Sequence, residues 1–142
     1  MAKEKGLDRL FVEEKVKDTF RELTFQPTTN NSVSSQPFQA LKFVFLWAVA
    51  LGIKSGSRRP LQGNRDGLVR WEYLSEDEKR CLAMIALAET GEIKVIADEG
   101  NIQEIAEEYA NEGIRILKRD VLEAPGDPLW KLADFARSAI EN

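Results

Sequence analysis

Five stretches of this chain carry apolar residues at helical spacing, and the segments between them are polar or rich in turn residues. Leu7, Leu10, Phe11, Val16, Phe20 and Leu23 fall on one face of a helix over 7–23. From Phe38 to Gly52 nearly every position is apolar, and Pro37 suits a first helical turn. A helix apolar on all sides is buried centrally or shared with a partner. Gly52 or Gly56 ends it. Ser75 and Glu78 form a capping box ahead of Leu82, Ile85 and Ala86, and Gly91 provides a stop. Asn101 and Glu104 repeat the capping pattern before Ile105, Tyr109, Ile116 and Leu117. Asp127-Pro128 opens a last helix with Leu129, Leu132, Ala133, Ala136 and Ile140 on helical spacing.

The pattern predicts an all-α fold of about five helices with no confident strand pair. Ile93 to Ile96 fits a short strand or an extra turn. Residues 24–36, with Pro27, three threonines, two asparagines and three serines, read as a polar loop or tether. The expected organisation is an N-terminal helix over 1–26, a linker over 27–36 and a helical core over 37–142. Between the second and third helices lies a segment with Gly56, Pro60, Gly63, Asn64 and Gly67, expected as a loop with a short hairpin near Asn64 to Gly67.

Charge sharpens this picture. The net charge is −4, but Lys54 to Arg70 holds five basic residues (Lys54, Arg58, Arg59, Arg65, Arg70) and one acid, Asp66. Glu89 to Asp127 holds eleven acids and four bases. The arginine forks and exposed N–H groups of the glycine-rich loop suit phosphate. Five cations support a salt-sensitive contact with a nucleic-acid backbone. Two plainer readings stand beside this: the arginines pair with acidic helices of the same domain, or they form a protein interface. The aromatic residues Phe38, Phe45, Trp47 and Trp71 are candidates for an interface, against the simpler reading of core anchors.

Composition removes catalytic chemistry. At 142 residues, 43% hydrophobic and 31% charged, the chain fits one ordinary folded domain. Histidine is absent, so the usual general base, the His-activated nucleophiles and the commonest zinc ligand are absent too. The single Cys81 forms no internal disulfide, fits a reducing cytoplasm and reads as a small buried residue. No phosphate-binding GxxxxGK[ST] loop or GxGxxG occurs. Glu104, Glu107, Glu108 and Glu112 have the spacing of a metal-binding face, but a solvated helix surface explains them more simply. No enzyme activity, cofactor or metal is expected. The charged N-terminus does not resemble a secretory leader, and Phe43–Ile53 is shorter than the roughly 20 residues a membrane span needs, so no membrane is expected.

Several blocks in fixed order add a resemblance. They are Phe45-Leu-Trp-Ala-Val-Ala-Leu-Gly52, Lys54-x-Gly56-x-Arg58-Arg59-Pro60-Leu61, Arg70-Trp71-Glu72, Met84-Ile-Ala-Leu-Ala-Glu-Thr-Gly91, and Glu107-Glu-Tyr-Ala-Asn-x-Gly113 with Ile116-Leu117. Together they resemble the family of the fourth Dnd system-associated protein, encoded beside bacterial DNA phosphorothioation genes for modification and restriction. The likeness runs over about residues 37 to 119. It implies an accessory component of an anti-phage or restriction setting that binds duplex DNA through the basic loop. The alternative is an adaptor or regulator for nuclease or ATPase subunits, without DNA contact. A homo-oligomer is the remaining partner expectation. The motifs carry no catalytic residues across.

Overall fold

The computed structural model describes residues 8–24 and 38–141. The expected linker over 27–36, Pro37 and the first seven residues lie outside that range. Among the described residues there are five α-helices: α1 Lys17–Leu23, α2 Leu41–Ser55, α3 Glu76–Thr90, α4 Glu99–Leu117 and α5 Pro128–Glu141. Two strands, β1 Arg9–Glu13 and β2 Arg65–Arg70, complete the order β1-α1-α2-β2-α3-α4-α5. Short 3-10 turns occupy Glu14–Val16, Trp71–Tyr73 and Ile93–Ala97, and a π turn spans Lys118–Leu122. The fold is helical as expected, with one small strand pair added.

That pair corrects two expectations. The helix expected from Leu7 begins only at Lys17, because residues 9–13 are a strand. Leu10 and Val12 alternate into the core while Arg9 stays exposed, the period of a half-buried strand. The short hairpin expected near Asn64 does not form. β2 pairs antiparallel with the distant β1, setting Arg9 opposite Arg70 and Glu13 opposite Arg65. The register shifts between Leu10 and Phe11. A strand whose partner lies more than 50 positions away leaves no local signature beyond alternation, which here coincides with helical spacing.

Helix α2 starts at Leu41, four residues after the Pro37 start that the sequence suggests, because Phe38 is extended and donates its N–H to the Leu23 carbonyl (3.2 Å). It ends at Gly56, whose φ of 78° is left-handed. Ser75 and Glu78 form the expected capping box on α3. The α4 cap sits at Asp98, not Asn101: the Asp98 carboxylate accepts from the Asn101 N–H (3.1 Å), so Asn101 occupies the third helical position. Ile93–Ala97 resolves as a 3-10 turn.

The core centres on α2 against α4, with Phe45, Val44 and Ala48 of α2 fully buried beside Ile105, Ala110, Ile114 and Leu117 of α4. Two glycines allow the helices to touch backbone to backbone. A Cβ on Gly113 would lie 1.7 Å from the Ala48 carbonyl oxygen, and one on Gly52 would lie 2.2 Å from that of Tyr109. Leu10, Val12, Phe20 and Leu23 join the same core, where the Phe20 and Phe45 rings stack at 6.4 Å. Among the described residues, no helix is long and apolar enough to cross a membrane.

Candidate interaction surfaces

The basic loop leaves α2 at the left-handed Gly56 and lies along α4. Arg58 sits between two carboxylates, Glu108 of α4 at 3.4 Å and Glu89 of α3 at 3.6 Å. Arg59 reaches Glu112 at 2.9 Å, and its backbone N–H donates to the Glu108 carbonyl (3.1 Å). The acids are therefore internal partners of the two central arginines. Burial raises the Glu108 pKa, with Arg58 opposing it. The Tyr109 hydroxyl donates to Glu89, and this bond pushes the Tyr109 pKa up.

Beneath the loop lies a buried polar cluster built on Glu13, which is 2% exposed at the end of β1. One Glu13 carboxylate oxygen accepts from the Gln62 N–H (2.8 Å) and Asn111 Nδ2 (2.9 Å), and the other accepts from Arg115 Nη2 (2.9 Å). Asn111 also donates to the Arg59 carbonyl (3.1 Å), tying the loop backbone to α4. Burial alone would raise the Glu13 pKa, but the Gln62 amide, Asn111 and Arg115 outweigh it and hold the carboxyl at about 2. One turn earlier on α4, the equally buried Glu107 accepts from the Phe11 N–H (2.7 Å). Strand β1, the loop and α4 are thus joined through one carboxylate.

The other candidate cations are dispersed. Arg70 pairs with Glu72 at 3.3 Å on an exposed surface. Arg65 on β2 and Lys54 near the end of α2 are exposed and have no ion pair among the described residues. Asp66, beside Arg65, is held by Lys17 (2.9 Å), which lowers its pKa. The four glutamates with metal-binding spacing do not converge. Glu107 turns inward to β1 while Glu108 and Glu112 turn to the loop arginines. Among the described residues, no group of three or more His, Cys, Asp or Glu is placed to hold a metal ion.

The aromatic candidates also separate. Phe38, Phe45 and Trp71 are buried, and the Trp71 indole donates to Glu99 (3.1 Å). A side chain closed within its own core meets no partner unless the fold opens. Trp47 is half-buried, with its ring edge-on to Phe38 at 6.0 Å. It lines a groove between α2 and α5 with Leu46, Ala50, Leu51, Phe135 and Ala136, and Lys54 stands at the α2 end. Cys81, expected to be buried, is exposed because α3 turns Leu82 and Ala86 inward instead.

Sequence reasoning missed Glu13, Gln62 and the α5 side of the groove. Gln103, Glu107, Asn111 and Arg115 recur every fourth residue on α4, a polar ladder visible in the sequence once α4 is known to be buried on that side. Nothing local marks Glu13 as buried, because its hydrogen-bond partners lie 49 to 102 positions away.

No curated protein and no solved structure matches the chain. A family model described as DNA sulphur modification system-associated protein 4 matches residues 17–136, and the chain belongs to that family.

Proposed function

We propose that this protein is a non-enzymatic accessory subunit that acts through protein contacts in a bacterial DNA sulphur-modification system linked to restriction and anti-phage defence. Family membership supports the setting. One observation carries the adaptor role: the fold pairs Arg58 and Arg59 with Glu89, Glu108 and Glu112. A DNA phosphate would have to displace carboxylates already in contact, across a helix whose negative charge repels it. The natural partners are larger nuclease or ATPase subunits in the cytoplasm.

A second reading keeps DNA as the ligand. Lys54 and Arg65, which have no ion pair among the described residues, favour it, with Arg70 released from an exposed and weak pair. Two measurements separate the readings. Retention of duplex DNA at about 50 mM salt, with a steep fall on adding salt, supports DNA contact. Co-elution with another purified protein of the system, without DNA retention, supports the adaptor. Strong DNA retention that is lost in an Arg65→Ala, Lys54→Ala double variant would sink the adaptor reading.

A further inference from the structure

Helix α2 is apolar almost all round, yet the fold covers only part of it. Phe43 and Ile53 are each 39% exposed, and Ala50 is exposed between them. Phe43, Leu46, Ala50 and Ile53 recur at intervals of three, four and three residues, the spacing of a seam that accepts a second helix. The small Ala50 at the middle permits close approach of that helix axis. Beside this seam the α2–α5 groove has a volume of about 400 Å3. Leu51 is buried at its floor, and the half-buried Trp47 and Phe135 form its sides.

Two polar groups of residues lining the groove have no partner within the protein among the described residues. The Trp47 indole N–H has no hydrogen-bond acceptor and the Lys54 ammonium has no ion pair. Charge selects the occupant. Residues 41–55 contain Lys42 and Lys54 and no acid. Lys42 is held by Glu78, so the α2 of a second copy would bring no free acid and a second Lys54 to a groove whose own lining charge is Lys54. A nucleic acid would set phosphates against an apolar wall. A helix with an apolar stripe and a carboxylate fills the groove and satisfies Lys54.

We propose that the α2–α5 groove docks an amphipathic helix from another protein of the sulphur-modification system. That helix carries apolar side chains at i, i+3 or i+4, and i+7, and an Asp or Glu positioned to meet Lys54. The proposal rests on the adaptor reading and narrows it to one surface and one chemistry. Trp47 is the anchor, since a half-buried tryptophan with a free N–H gains both area and a hydrogen bond on docking.

The test titrates the full chain by calorimetry with each purified protein of the system, for wild type, Ala50→Glu and Lys54→Glu. Both substituted residues are exposed, so the melting temperature should not move. Ala50→Glu is expected to weaken binding about tenfold or more. Lys54→Glu should weaken it also, with recovery when the partner's facing acid is changed to Lys. Binding by wild type that neither variant alters overturns the groove proposal and leaves the adaptor reading standing. No binding of any of these proteins by wild type at about 100 µM overturns both. Self-association abolished by Ala50→Glu, with no other protein bound, assigns the groove to a second copy and overturns the proposal.

Discussion

The basic loop and the α2–α5 groove lie at opposite extremes of self-sufficiency. The loop carries a net positive charge in an acidic chain, yet its two central arginines, its backbone at Arg59 and Gln62 and the carboxylate beneath it have partners within the chain. The groove comes from the most apolar helix, yet it keeps exposed hydrophobic surface, an indole N–H and an ammonium without partners among the described residues. Charge density in a sequence is therefore a poor guide to a binding surface when complementary charge lies elsewhere in the chain. An apolar helix is equally ambiguous, because its buried and exposed sides have the same composition.

The strongest way to break the comparison is to remove the contact on which both regions depend. Gly113→Val puts a branched side chain where even a Cβ meets the Ala48 carbonyl oxygen. A backbone atom cannot yield as a side chain can, so a loss of about 4 kcal/mol or failure to fold is expected in chemical denaturation.

Next in size is Glu13→Ala, which should release the loop and leave the groove intact. Arg115 and Asn111 lose the carboxylate they satisfy, at a cost of about 3 kcal/mol. Hydrogen exchange should rise at residues 59–62 with little change along α2. The same carboxylate sets an acid response. Its folded pKa of about 2 lies below the ordinary value of 4.5, so its stabilisation is complete above the ordinary value and is lost as pH falls towards 2. That loss is about 3 kcal/mol at most. In Glu13→Gln, urea denaturation should show a flatter dependence across this window.

Smaller effects sharpen the contrast. Arg58→Ala or Arg59→Ala should cost about 1 kcal/mol or less in a thermal melt, because both pairs remain partly solvated. Neither should alter whatever DNA retention the wild type has. The smallest effect belongs to Ala50→Glu, within about 0.5 kcal/mol of wild-type stability while partner binding falls.

Much of the fold was legible from local chemistry. The Ser75–Glu78 capping box, the stop at Gly91 and the Pro128 start stand where the sequence puts them, while α2 runs past Gly52 to the later of its two candidate stops, Gly56. Each depends on atoms within a few residues, and that is why sequence reveals them. β1 was hidden, since Leu10 and Phe20 lie on one helical face as readily as they fill a strand and a later helix. The candidate surface was legible only in its inventory. Lys54, Arg58, Arg59, Arg65 and Arg70 fall within one stretch of the sequence, 54–70, but the structure sends them to different partners or to none among the described residues. Of the four aromatic candidates, only Trp47 reaches the groove.

The sequence by itself determined the helical class, the Ser75–Glu78 cap, the absence of histidine chemistry and the family resemblance, because these depend on residue identity and short spacing. Tertiary structure decided which charges cancel and which apolar side remains open. Glu13 meets Arg115 across 102 positions, and Gly113 admits the Ala48 backbone from another helix. Such encounters follow from the packing of distant segments, and that packing closes the basic loop and leaves the apolar groove exposed.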